Sequence, residues 1–116
     1  MFPQHKPPKT KPNEIVYNTI STPRGGQYQI LLPDGTKVWL NSASSIKYPS
    51  RFSNDKRAVE LTGEAYFEVA KKVIAGKRVP FVVATDLQQI EVLGTHFNVR
   101  AYRKELNHSQ EAYLTI

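Results

Sequence analysis

Cysteine is absent from all 116 residues of the sequence. Its absence excludes disulfide bonds, cysteine-based zinc sites and thiol catalysis. It leaves the compartment open, because a chain without cysteine is compatible with the cytoplasm and with the periplasm. Stability must come from packing, for which five Phe, six Tyr and one Trp are available. A chain of this length fits one domain that buries a sufficient core without covalent staples.

Long hydrophobic runs are also missing. No stretch approaches the roughly 20 apolar residues that span a bilayer, and the N-terminal MFPQHKPPK lacks the apolar segment of a secretory signal. The sequence as given therefore predicts a soluble domain. A longer, membrane-anchored parent protein is compatible with this prediction.

Acidic residues are outnumbered, with 16 Lys and Arg against 10 Asp and Glu and a formal net charge of +6. Half of this excess comes from Lys6, Lys9 and Lys11 near the N-terminus. Other basic residues alternate with acidic ones, apart from a cluster around Gly76 formed by Lys71, Lys72, Lys77 and Arg78. We expect this cluster to be a solvated loop, so the charge distribution predicts no nucleic-acid binding.

Proline and lysine dominate residues 1–14, which include Pro3, Pro7, Pro8 and Pro12. This composition is too polar and too rich in proline to pack, so we expect an extended linker over 1–14. The folded domain should then cover 15–116. Its strand-like end, EAYLTI at 111–116, has no capping segment after it, and we expect the chain to be a fragment of a longer protein.

From Ile15 onward, short runs of β-branched and aromatic residues are separated by Gly, Pro, Asn, Asp and Ser. No run keeps a helical period, so the pattern predicts an all-β fold of mainly antiparallel strands. A sandwich, a jelly-roll-like stack and a β-solenoid all fit this spacing. A brief helical turn is expected only at residues 43–45.

A β-hairpin is predicted around Pro33-Asp34-Gly35. A two-residue loop at Asp34-Gly35 would mix polar and apolar groups on each face. A type I turn with Gly35 in a left-handed bulge instead pairs Tyr28 with Leu40 and Ile30 with Val38, which gives one apolar face. The fixed φ of Pro33 suits the second form, which places Gln29 and Trp39 together on the opposite face.

Later strand-like runs lie at 57–62, 64–69, 81–85, 89–93 and 96–102, and apolar residues alternate with polar ones at 57–62, 64–69 and 96–102. Gly63 is expected to form a bulge or a bend between the first two. The residues predicted to point inward are Ala65, Phe67, Val69, Phe97, Val99 and Ala101.

Candidate catalytic residues, metal ligands and cofactor-binding residues are not found. His5, His96 and His108 are too scattered for a metal site, and no phosphate-binding or nucleotide-binding glycine motif occurs. Glu64 and Glu68 point to one solvent face of a strand, which is the usual outward pattern of a half-buried sheet and predicts no catalysis.

Aromatic residues at outward positions suggest a contact surface for a partner, formed by Gln29, Trp39 and Tyr66. Aromatic side chains dominate binding hot spots. The alternative interpretation is that Trp39 and Tyr66 are covered by a second sheet.

A run of motifs extends from residue 21 to about residue 102. The motifs are TPRGGQ at 22–27, LPDGT at 32–36, VWLN at 38–41, VELTGEAYFEV at 59–69 and VLGTHFNV at 92–99. In this order they resemble the FecR-type anti-sigma regulators of Bacteroidetes. The resemblance implies a non-enzymatic periplasmic module without cofactors, part of a regulator anchored in the inner membrane.

Such regulators receive a signal from a TonB-dependent outer-membrane transporter and pass it to an extracytoplasmic-function sigma factor. The segment that binds the sigma factor, the transmembrane helix and a further C-terminal domain are not found in this sequence. The resemblance therefore implies that the sigma factor contacts the missing cytoplasmic segment, and that the transporter's signalling domain contacts largely the missing C-terminal part. We expect membrane attachment only through the missing helix.

Two further expectations concern surfaces. The lysines of the 1–14 linker would lie near anionic headgroups, and an open sheet edge could add a strand from a partner. A carbohydrate-binding or cell-surface interaction domain remains the alternative function.

Overall fold

A computed structural model of the chain describes residues 14–106 and 109–112, with side chains as far as Tyr102. Within these residues it is all-β, as predicted, with twelve strands and no helix. The strands are β1 (Tyr17–Ser21), β2 (Tyr28–Leu31), β3 (Lys37–Leu40), β4 (Ser45–Pro49), β5 (Arg57–Glu68), β6 (Val73–Ile74), β7 (Lys77–Arg78), β8 (Phe81–Ala84), β9 (Gln89–Val92), β10 (His96–Ala101), β11 (Arg103–Leu106) and β12 (Ser109–Ala112).

The long strand β5 organises the fold because it belongs to two half-sheets. Its first half lies between β4 and β8, in the order β1-β4-β5-β8-β9, which we call sheet A. Its second half lies between β3 and β10, in the order β2-β3-β5-β10, which we call sheet B. All of these pairs are antiparallel except β5 with β8. The result is one curled sheet.

Gly63 lies where β5 passes from sheet A to sheet B. Its φ of +96° is favourable only for glycine, and a Cβ atom there would lie 2.2 Å from Ser44 Oγ. Ser44 Oγ also accepts a hydrogen bond of 2.8 Å from the amide of Glu64. Gly63 therefore lies within the continuous strand β5, in a left-handed backbone conformation that packs directly on Ser44.

One hydrophobic core is formed by the inner faces of both half-sheets. The ring of Phe67 lies at its centre, stacked on Phe97 at 5.1 Å and edge-on to Phe81 at 5.9 Å between ring centroids. The inward positions predicted from alternation are all buried: Ala65, Phe67, Val69, Phe97, Val99 and Ala101. The period of two therefore assigned the core faces of β5 and β10 correctly.

The β2–β3 hairpin adopts the bulged form. Tyr28 is opposite Leu40 and Ile30 is opposite Val38. The amide of Gly35 donates to the carbonyl of Leu32 over 3.0 Å, which closes the turn, and the φ of Gly35 is +89°. The register predicted from Pro33 and Gly35 is confirmed.

A buried ion pair ties the turn of this hairpin to the start of β5. Arg57 Nη1 lies 2.8 Å from Asp34 Oδ2, and both side chains are fully buried. The guanidinium also donates to the carbonyl oxygens of Ala70 at 2.5 Å and Val79 at 2.7 Å. The guanidinium carbon, Arg57 Cζ, lies 5.5 Å from the centre of the Phe81 ring. The sequence pattern did not predict this pair.

Two local expectations are wrong. Residues 43–45 form no helical turn: Ala43 has a φ of +50°, Ser44 pairs its backbone with Thr22, and β4 begins at Ser45. The segment around Gly76 is a short β6–β7 hairpin and not an irregular loop: Lys77 and Arg78 form β7, and Lys71 and Lys72 precede β6. All four basic residues are exposed, as expected.

Some expectations lie outside the described residues. These are the linker as far as residue 13, His5 and His108, and the last four residues of the predicted final strand. Residues 111–112 belong to β12.

Candidate functional site

The outer face of sheet B holds the three residues predicted as a partner contact. The strand register places Gln29 opposite Trp39, Trp39 opposite Tyr66, and Tyr66 opposite Asn98. Residues directly opposite each other in a sheet project to the same face. The structure therefore brings Gln29, Trp39 and Tyr66 into one row across β2, β3 and β5, with Asn98 of β10 at its end.

The rings of this row contact each other. The centroids of Trp39 and Tyr66 lie 5.5 Å apart with a tilt of 47°, and His96 meets Tyr66 edge-on at 6.4 Å. Trp39 and Tyr66 are half-buried and lie on the face opposite to the core. Within the described residues they are therefore not buried beneath a second sheet, the alternative suggested by the sequence.

A chain of amide and carboxylate groups borders the rings. Asn41 Nδ2 donates to Glu64 Oε1, and Asn98 Nδ2 donates to Glu64 Oε2, each over 3.0 Å. Gln27 Nε2 donates to Asn41 Oδ1, also over 3.0 Å. Because both oxygens of Glu64 accept hydrogen bonds from side-chain amides, its carboxylate is held in one orientation.

A second row runs beside the first and carries charge. Leu31 is opposite Lys37, Lys37 is opposite Glu68, and Glu68 is opposite His96. Leu31 is 69% exposed. The outer face of sheet B thus combines two aromatic rings, one exposed apolar side chain and residues of both charge signs.

Sequence reasoning missed Asn41, Asn98 and Gln27 as parts of this surface. Asn98 occupies an outward position in an alternating strand, which was the only local signal for it. Asn41 follows the last residue of β3, and its link to Glu64 depends on strand order. Alternation alone does not reveal that order.

Two further features are absent from the described part of the chain, a metal site and a membrane-spanning helix. No group of three or more His, Asp or Glu side chains there is arranged to hold a metal ion. Nor is any helix in those ranges long and apolar enough to cross a membrane.

Comparisons with known proteins address the family. The model of the FecR protein family matches residues 18–109. A crystal structure of a candidate anti-sigma factor from Parabacteroides distasonis, at 2.50 Å resolution, superposes with a TM-score of 0.69 and 34% sequence identity. A second such structure from the same organism, at 1.65 Å, gives 0.67 and 35%. No curated protein sequence matched the chain.

The extent of these matches is unequal. They cover 85% and 84% of this chain but only 52% and 51% of the two crystallised chains. This chain therefore spans about half the length of the structures that it resembles. The family match covers most of the domain described above, from the second residue of β1 through β11. The resemblance predicted from the motifs is confirmed, and the chain belongs to the FecR protein family.

Proposed function

We propose that this chain is a non-catalytic signalling module of an anti-sigma factor. In the whole protein it would lie in the periplasm, attached to the inner membrane, and relay a signal from a TonB-dependent transporter to an extracytoplasmic-function sigma factor. The observation that carries the proposal is the family match over residues 18–109. The similarity to two candidate anti-sigma factors supports it.

The relay would depend on protein contacts rather than on chemistry. We call the row of Gln29, Trp39 and Tyr66 the aromatic row. Both carboxylate oxygens of Glu64, which lies beside it, accept hydrogen bonds from side-chain amides. A carboxylate held in one orientation in this way is suited to fixed recognition. The sigma factor would bind through a cytoplasmic segment, and the transporter's signalling domain mainly through a C-terminal domain, both outside this sequence.

Within this chain, we assign direct contact with a protein partner to Gln29, Trp39 and Tyr66. Aromatic residues that are partly buried before binding lose little side-chain freedom on association. The amide chain around Glu64 would hold the polar border of this surface in place before the partner arrives.

An NMR titration tests the proposal. The ¹⁵N-labelled chain would be titrated with the periplasmic signalling domain of the transporter encoded beside its gene. Shifts confined to β2, β3 and the second half of β5 would support signal reception on sheet B. No shifts in a folded sample would move reception to another domain and leave this one a spacer.

A reporter assay tests the role in regulation. In cells carrying the full-length regulator, a promoter dependent on the sigma factor would be measured with and without the transporter's ligand. We expect Trp39→Ala to weaken the response to ligand while the protein level stays unchanged. An unchanged response would contradict the assignment of sheet B.

Carbohydrate binding is the second candidate, because the rings of Trp39 and Tyr66 lie in one row with the side-chain amides of Gln29 and Asn98. Ring stacking combined with amide hydrogen bonds suits a sugar. A glycan array separates the two candidates: retention of a glycan that Trp39→Ala abolishes would favour this function over the relay.

A further inference from the structure

In the part of the chain that the structure describes, β1 is an edge strand of sheet A and pairs only with β4. The amide of Ser50 donates to the carbonyl of Val16 over 2.6 Å, and the amide of Thr22 donates to the carbonyl of Ser44 over 2.8 Å. In an antiparallel ladder, alternate residues direct their backbone groups to the neighbouring strand. The backbone N–H and C=O groups of the even-numbered residues of β1 therefore point toward β4.

The odd-numbered residues of β1 direct their backbone groups away from sheet A. These residues are Tyr17, Thr19 and Ser21. Pro49, which has no amide hydrogen, is opposite Tyr17, as this assignment requires. The edge thus presents a row of donors and acceptors that a further strand could use.

Protection against strand addition is weak at this edge. β1 contains no charged residue and no proline, two of the devices by which edge strands avoid pairing. The side chains at its start are exposed and apolar: Ile15 by 38%, Val16 by 47% and Tyr17 by 59%.

A groove lies beside this edge on the outer face of sheet A. It encloses about 290 Å³, and Ile15 and Tyr17 are among its lining residues. Small and apolar side chains of the central strands β4, β5 and β8 form its floor. These side chains are Pro49, Ala58, Val82 and Ala84. The β4–β5 connection, residues 51–56, supplies much of one wall.

The groove is predominantly cationic. Lys47, Arg51 and Lys56 line it, against one acidic residue, Glu60. Lys47 Nζ lies 5.1 Å from the centre of the Tyr17 ring and 4.0 Å from Glu60.

The small side chain of Thr19 is directly opposite Lys47 on the same face. A strand added beside β1 would lie about 10 Å from β4, so a glutamate on it could extend over Thr19 toward the Lys47 ammonium group.

We propose that β1 and this groove form a binding site for an extended acidic segment of a partner protein. The segment adds a strand to sheet A through Tyr17, Thr19 and Ser21, and its carboxylates face the lysines of the groove. This site lies on sheet A, whereas Gln29, Trp39 and Tyr66 lie on sheet B. The proposal does not depend on the function proposed above.

Charge separates this occupant from two others. A second copy of the chain would bring the same lysines and a net charge of +6 to the interface. The chain's own N-terminal residues carry Lys6, Lys9 and Lys11. Both would be repelled by Lys47 and Lys56, whereas an acidic segment is attracted.

A peptide selection tests the proposal. A library of random peptides of about ten residues, enough to pair with all of β1, is displayed on phage and selected against the complete chain. We expect enrichment of peptides that alternate carboxylates with apolar residues. In the unmodified protein, such a peptide should slow hydrogen exchange at the amides of Tyr17, Thr19 and Ser21.

Matched variants separate the edge from the charge. Thr19→Pro removes an outward amide that takes no part in the β1–β4 ladder, and it should weaken binding of a selected peptide at least about tenfold. Thr19→Ala keeps the amide and should bind within about twofold of the unmodified chain. Lys47→Gln should weaken binding about two- to fivefold, with a smaller dependence on salt.

Several results would overturn the proposal. One is selection of peptides without acidic residues, and another is selection of none. A third is slowed exchange elsewhere than at the three β1 amides. A fourth is a dimer that Thr19→Pro converts to monomer, which would assign the edge to a second copy.

Discussion

Arg57 and Asp34 form an ion pair of 2.8 Å between two side chains that have no exposed surface. Three further residues contact it: Thr36 donates to Asp34 from both its amide and its hydroxyl, and the carbonyl oxygens of Ala70 and Val79 accept from Arg57. A buried charge without its partner is costly, whereas a complete pair need not be. The pair therefore makes the hairpin turn and the start of β5 mutually dependent.

Removing the cation should destabilise the fold strongly. Arg57→Met leaves the carboxylate of Asp34 buried without its partner, and we expect the free energy of unfolding to fall by about 3–5 kcal/mol. Urea unfolding followed through Trp39, the one tryptophan of the chain, measures the change. The double variant Asp34→Ala with Arg57→Met should be more stable than the sum of the single losses predicts.

The exposed pair of Lys47 and Glu60, at 4.0 Å, provides the control. Lys47→Gln should change the free energy of unfolding by no more than about 0.5 kcal/mol. A similarly small loss for Arg57→Met would mean that the ion pair is accessible to water in solution.

The buried hydroxyl group of Thr36 should contribute to stability through its hydrogen bonds rather than its volume. Thr36 Oγ1 accepts from the amide of Ala70 over 3.1 Å and donates to Asp34 over 2.7 Å. Thr36→Val keeps the shape but leaves that amide without its acceptor, so we expect a loss of about 1–3 kcal/mol. Thr85→Val, at a turn whose hydrogen bonds are exposed, should cost less in the same thermal unfolding experiment. Equal losses would argue against a special role for Thr36.

The middle of β5 should tolerate no side chain at Gly63. Gly63→Ala combines a positive φ with a Cβ atom 2.2 Å from Ser44 Oγ. Gly76 is the matched control, since its φ is +78° but nothing lies within 4 Å of a Cβ atom there. Backbone strain of about 1–3 kcal/mol applies to both, and the contact with Ser44 should add at least about 1 kcal/mol for Gly63→Ala alone. Chemical denaturation gives both values, and similar losses would show that Ser44 moves aside.

The aromatic row should matter more for binding than for folding. If Trp39 is a hot spot, Trp39→Ala should weaken association with the transporter's signalling domain by about 2 kcal/mol, roughly 30-fold. Leu87→Ala removes a side chain that is 51% exposed in the β8–β9 turn and serves as the control. Calorimetry on both folded variants provides the comparison, and equal affinities would contradict the assignment.

Local chemistry predicted the hairpin and the core faces. Pro33 and Gly35 determine the turn through their allowed φ values, and alternation then assigns Ile30 and Val38 to one face. These features depend on neighbours in the sequence. The burial of Arg57 does not, because arginine is usually exposed and nothing near it in the chain reveals that Asp34 is its partner.

The candidate site was predictable only in part for the same reason. The outward positions of Trp39 and Tyr66 follow from alternation within each strand. Their contact at 5.5 Å follows from the pairing of β3 with β5, which are separated by β4 in the sequence. The amide donors to Glu64 are Asn41, just after β3, and Asn98, in β10. Their spacing in the sequence does not predict that they meet at one carboxylate.

The membership of β5 in both half-sheets has a consequence for how the domain unfolds. Its residues before Gly63 hold β4 and β8, and those after it hold β3 and β10. Detaching β5 from either half removes the central strand of both, so neither half retains a core of its own. The domain should melt in a single cooperative transition. A change that destabilises β1 and a change that destabilises the row of Gln29, Trp39 and Tyr66 should therefore both lower the same global free energy of unfolding.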